Sequence, residues 1–160
     1  MDDQDKLQRY LDLTYRYLSF RNRSEKEIRD YLNGKNVPSE IIETIVGKLY
    51  EHKFLDDEKF ARSWILFRAR LKPKGRYALE IELKQKGISK EIIEKAFAET
   101  DEELPDEVTQ ATQLIASRLK RLEGESKQVI YQKVGAFLGR RGYSWEVARK
   151  AIDSYLNPHE

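Results

Sequence analysis

The chain has 160 residues, of which 36% are charged and 39% hydrophobic, and a formal net charge of +2. It has no cysteine, which excludes disulfides and thiol catalysis within it, and no apolar run near the roughly 18 residues needed to cross a bilayer. So much charge over so modest an apolar supply favours surface-rich helices over a thick central sheet. The start, MDDQDKLQRY, lacks the apolar core of a secretory signal, so a soluble, cytoplasmic protein is expected.

In chain order, Leu7, Tyr10, Leu11, Thr14, Tyr17 and Leu18 predict a helix over about residues 4–20. The stretch 28–42, IRDYLNGKNVPSEII, places Ile28 and Leu32 one turn apart and ends them at Asn36, a residue that tolerates a left-handed helix end. Pro38 and Ser39 then suit the start of another helix. Asp56–Asp57 open the next, carrying Phe60, Ala61, Trp64, Ile65, Phe67 and Leu71. Tyr77, Leu79, Ile81 and Leu83 alternate as a half-buried strand would. The register of the repeat resolves them otherwise. Residues 79–93, LEIELKQKGISKEII, and 134–148, VGAFLGRRGYSWEVA, align with 28–42 without a gap. Leu83 and Leu138 stand where Leu32 does, Gly87 and Gly142 where Asn36 does, and Ser89 and Ser144 offer N-caps to the helix that follows. A helix is therefore expected over 74–86. The last preceding helix carries Val108, Ala111, Leu114, Ile115, Leu119 and Leu122.

Three helices per unit and three units per chain predict an all-α tandem array forming an elongated, curved body. The expected divisions are 1–53, 54–100, an acidic hinge at 101–105, and 106–160. Near the end of each leading helix recurs Leu18-x-x-Arg21, Ile65-x-x-Arg68 and Ile115-x-x-Arg118. A cation at a helix C-terminus explains these arginines by structure. Core packing is the default reading of Tyr10, Tyr17, Trp64, Phe67, Phe97 and Phe137.

The near-neutral total hides strong local charge. Between Arg68 and Lys90 stand eight cations against Glu80 and Glu82, whereas 99–107 holds six anions and no cation. Arg70, Lys72, Lys74 and Arg76 crowd around Pro73, and four like charges repel, so folding alone gives little reason to gather them. With Arg68, Lys84 and Lys86 they form the expected partner-binding set, suited to acidic protein or phosphate. Arg140, Arg141, Arg149 and Lys150, beside Tyr143 and Trp145, form a possible secondary basic site.

The middle copy resembles the RecX family, regulators of the RecA recombinase. The residues that carry this are Phe54-Leu55-Asp56-Asp57-Glu58-Lys59-Phe60-Ala61, Arg68, Lys74-Gly75-Arg76, Glu82-Leu83 and Lys86-Gly87-Ile88. The first copy adds Leu18-x-x-Arg21-x-x-Ser24-x-x-Glu27-Ile28, and the third matches weakly. The resemblance implies a protein that binds in the groove of the RecA–DNA filament and restrains ATP hydrolysis, strand exchange and co-protease activity. It also implies DNA binding in some members; a monomer is expected, with non-specific binding to single- or double-stranded DNA as a secondary activity.

Enzymatic signals are poor. His52 and His159 are remote in sequence, so a metal pair is disfavoured, and no catalytic residue, metal or cofactor is expected. Gly75 among cations lacks the glycines and the Lys-Ser/Thr ending of a nucleotide loop. A helical DNA-binding protein using helix-turn-helix-like pairs is the alternative. Glu40, Glu43, Glu91 and Glu94 would face phosphate badly in two of the three copies. A passive helical scaffold is the third reading.

Overall fold

The computed structural model describes residues 2–158, and the described residues form nine α-helices and one 3-10 turn, with no strand. The helices are α1 (Asp3–Phe20), α2 (Glu25–Gly34), α3 (Ser39–Glu51), α4 (Asp57–Leu71), α5 (Arg76–Gln85), α6 (Lys90–Thr100), α7 (Glu107–Arg121), α8 (Lys127–Arg140) and α9 (Trp145–Leu156); the 3-10 turn is Asp101–Glu103. They form three successive triplets, so 77–83 is helix and not strand. His159 lies outside the described residues.

Local chemistry sets the helix starts. Ser24 accepts from the Glu27 amide at 3.2 Å while Glu27 accepts from the Ser24 amide at 3.1 Å, a reciprocal capping box. Asp56, Ser89, Asp106, Ser126 and Ser144 each accept from the amide three residues on. The turn inside each triplet repeats as well. Asn36, Gly87 and Gly142 have φ of 60°, 81° and 90°. The next amide reaches back to the same carbonyl in each copy: Val37 to Leu32, Ile88 to Leu83 and Tyr143 to Leu138, at 3.0–3.1 Å. These are Schellman turns, and the apolar residues at both ends of each of these bonds are buried.

The chain divides into two compact units. Of the described residues, one holds those up to Ser63 with Leu83–Ala96; the other holds Trp64–Glu82 and those from Phe97 onward. In the first, Leu11, Ile28, Leu32, Ile45, Leu49 and Leu55 form a core beneath α1, α2 and α3. In the second, Ala111, Ile115, Leu119, Val134, Leu138 and Ile152 do the same beneath α7, α8 and α9.

Each unit contains the same seat. In the first, Ser24 Oγ donates to the Lys86 carbonyl at 2.7 Å, and a Cβ on Gly87 would stand 2.5 Å from Lys26 Cβ. In the second, the Gly75 amide donates to the Arg141 carbonyl at 2.7 Å and the Tyr77 amide to the Gly142 carbonyl at 3.3 Å. A Cβ on Gly142 would stand 2.4 Å from Ala78 Cβ. The start of one triplet's second helix thus rests on the turn of the next triplet. Glycine at that turn permits the close approach.

Candidate partner-binding face

In the second unit, α4 and α5 flank the basic connection 72–75. Glu82, on α5, faces back toward α4. It accepts from Trp64 Nε1 at 2.7 Å, Arg68 Nε at 3.1 Å and Lys74 Nζ at 2.7 Å. Burial pushes its carboxyl pKa up. Hydrogen bonds from Lys74 and Trp64 and the charges of Arg68 and Lys74 outweigh that, and hold it below the usual carboxylate range. The other triplets place aromatic rings at this position. Tyr31 stacks on Tyr17 at 4.1 Å, and Arg118 lies 3.8 Å over Phe137. Arg21 instead pairs with Glu27. The recurring arginines therefore reach across to a neighbouring element, which goes beyond a simple response to the helix dipole.

Folding employs more of the basic cluster than charge repulsion suggests. Arg76 Nε meets Glu80 at 3.1 Å, its guanidinium lies 4.5 Å over Phe97, and its backbone amide donates to Glu107 at 3.3 Å. Gly75 is a packing residue rather than an anion cradle. Arg70 and Lys72 are different. Both are exposed and neither has an ion-pair partner among the described residues. Beside them on α4 and at its end stand Phe67, 52% exposed, and Leu71, 67% exposed. Phe67 is thus a surface residue rather than core. Tyr77 and Ile81 form a second exposed apolar pair one turn apart on α5.

The remaining residues of the predicted set fall elsewhere. Lys84 and Lys86 belong to the first unit. There Lys84 is exposed, and Lys86 Nζ approaches Glu27 at 3.4 Å. In the secondary basic set, Arg149 pairs with Asp153 and Lys150 with Glu146, each one turn along α9. Arg141 lies 5.3 Å over Phe137 and lends its carbonyl to Gly75. Tyr143 is buried, its hydroxyl donating to Gln110 at 3.2 Å, whereas Arg140 and Trp145 are exposed.

Sequence reasoning missed two roles. Asp57 Oδ1 accepts from the Glu25 amide at 3.0 Å, so it caps α2 rather than only opening its own helix. Glu82 organises three donors. Its signal was legible: a carboxylate at an otherwise aromatic position, inside a basic stretch.

Capped helical triplets and a repeated seat define an all-α tandem-repeat protein. The three-helix domains of RecX match in order: the first at residues 11–49, the second at 56–96 and the third at 105–152. The chain belongs to the RecX family of regulatory proteins. It is 33% identical to "Regulatory protein RecX" of Prosthecochloris aestuarii, over 98% of this chain and 99% of that protein. It is 32% identical to "Regulatory protein RecX" of Bacillus pumilus, over 90% of this chain but 54% of that protein. The chain thus spans about half the length of several curated relatives it matches. Among solved structures, RecX from Lactobacillus salivarius superposes with a TM-score of 0.84 at 22% identity, covering 94% of this chain and 97% of that one. A second, "regulatory protein RecX", gives 0.80 at 25% identity, covering 94% and 73%. No helix among the described residues is long and apolar enough to cross a membrane.

Proposed function

We propose that the protein is a cytoplasmic, monomeric regulator that binds the RecA–DNA filament and limits its ATP hydrolysis, strand exchange and co-protease activity. Family membership supplies the partner. The observation that carries the contact is the end of α4 and the start of the following connection, where Arg70 and Lys72, without ion-pair partners among the described residues, adjoin exposed Phe67 and Leu71 in sequence. Apolar area beside steering charge is what a protein interface uses. Lys74 and Arg68 contribute indirectly, by holding the end of α4 through Glu82.

The test is the DNA-dependent ATPase of the cognate RecA, titrated with this protein at two salt concentrations and with single-stranded DNA in excess. Inhibition well below one copy per RecA is expected, a ratio at which competition for excess DNA cannot act. The double variant Arg70→Glu, Lys72→Glu should stay helical by circular dichroism and inhibit about tenfold less well, equivalent to about 1.4 kcal/mol. Full inhibition by that variant would move the contact off this segment. Salt-sensitive binding to bare DNA without ATPase inhibition would favour the DNA-binding reading.

A further inference from the structure

The first unit carries a basic cluster that the proposed function does not use. The α1–α2 connection, the α3–α4 connection and the first turn of α4 enclose a small cavity of about 40 Å³. Its wall is formed by Asn22, three basic residues, Arg23, Lys53 and Lys59, one acidic residue, Asp56, and Phe54 and Phe60. Asp56 is already engaged, accepting the Lys59 amide at 3.1 Å as the cap of α4.

Two of the cations are held in ways that their own folding does not satisfy. The Arg23 side chain is only 14% exposed, with its guanidinium 3.9 Å over the Tyr17 ring. Its nearest carboxylate oxygen, on Glu27, is 3.9 Å away, and that residue also serves Arg21 and Lys86. Its Nε is buried without a hydrogen-bond partner, a costly state for a charged donor. Lys53 sits at the left-handed position that ends α3, with φ 62°. The Phe54 amide closes that turn on the Leu49 carbonyl at 2.8 Å. The equivalent position inside each triplet is Asn36, Gly87 or Gly142. A lysine there is strained relative to glycine. Neither Lys53 nor Lys59 has a side-chain ion pair among the described residues.

We propose that this cavity is a binding site for a single phosphate group. Its size admits the oxygens of one tetrahedral oxyanion but not a base or a sugar. A guanidinium and two ammonium groups match that charge. The phosphate is either free in solution or one link of a nucleic-acid backbone. The site uses none of the residues assigned to the filament-binding face.

Thermal unfolding of the full chain in sodium phosphate, against sodium chloride at matched ionic strength, tests this. Phosphate should raise the Tm by about 3–6 °C at ten times the dissociation constant, and further with the logarithm of its concentration. Lys53→Gly should melt above the wild type in chloride, because glycine accepts the left-handed backbone, yet lose most of the phosphate-dependent rise. Lys59→Gln should weaken phosphate binding without changing the Tm in chloride. A short oligothymidylate then separates the sources. Weaker oligonucleotide binding by Lys53→Gly, Lys59→Gln assigns the site to a backbone phosphate, and unchanged binding assigns it to free phosphate. The proposal fails if phosphate acts no differently from chloride, if the double variant keeps the full rise, or if acetate reproduces it.

Discussion

Glu82 receives three donors from one helix and one loop, and removing it would leave Arg68 and Lys74 facing each other without their shared carboxylate. Glu82→Gln should cost about 1–3 kcal/mol, read from urea midpoints at pH 7. The pH dependence has a definite sign. Folding lowers the Glu82 pKa, so its stabilisation is complete above the unfolded value of about 4.3 and is lost as pH falls through the lower folded value. The variant lacks that titration, and its stability should fall less steeply than the wild type's below about pH 4.5. Two glycines make a matched contrast. Gly142 combines φ 90° with a Cβ position 2.4 Å from Ala78 Cβ, so Gly142→Ala should destabilise by about 2–4 kcal/mol. Gly47 lies inside α3 with nothing within 4 Å of its Cβ position. Gly47→Ala should stabilise by about 0.5–1 kcal/mol. Equal effects of the two substitutions would refute the account of the seat.

At the scale of elements, the caps recur and the partners differ. Asp56 and Asp57 look like one acidic helix start in sequence, yet they serve two helices: Asp56 caps α4 and Asp57 caps α2. Burial raises the Asp57 pKa, and the charges of Glu25, Asp56 and Glu27 push the same way against the Glu25 amide. A carboxyl raised on folding contributes stability at low pH that is lost as pH rises through its folded pKa. Asp57→Asn keeps an acceptor without the charge, so it should match or exceed wild-type stability at pH 7, with the difference vanishing below about pH 3.9. Asp57→Ala loses the acceptor and should cost about 0.5–2 kcal/mol. A destabilised Asn variant at pH 7 would show that the charge itself is needed. The helix boundaries were legible because each lies at a local signal: Ser or Asp before the first turn, Asn or Gly after the last. The second role of Asp57 was not, because its partner is 32 residues away.

At the scale of the molecule, one seat recurs in both compact units and leaves other cations exposed. In the second unit Arg140 is exposed, and Arg70 and Lys72 are the exposed members of the basic stretch without an ion-pair partner among the described residues. If they meet the backbone of bare single-stranded DNA, replacing both with Gln should reduce the slope of log affinity against log salt by about 1.4, near 0.7 for each lost phosphate contact. An unchanged slope would assign any DNA binding to other cations, Arg140 among them. The same variant, assayed on the RecA ATPase, separates loss of DNA contact from loss of filament contact.

The sequence by itself determined the nine helices, their grouping in threes and the left-handed turns within each triplet. The helix starts and turns depend on residues within one turn of one another, where spacing and capping act directly, and the grouping in threes on the gapless alignment of the three copies. It also showed that the positive charge gathers between Arg68 and Lys90. Only the tertiary structure decided which of those charges face solvent. Glu82 takes Arg68 and Lys74 across two elements, Arg76 takes Glu80 and the face of Phe97, and Arg70 and Lys72 are left exposed. Charge at a point in space sums over side chains that are remote along the chain. Composition can therefore locate a basic stretch, but packing selects the members available to a partner.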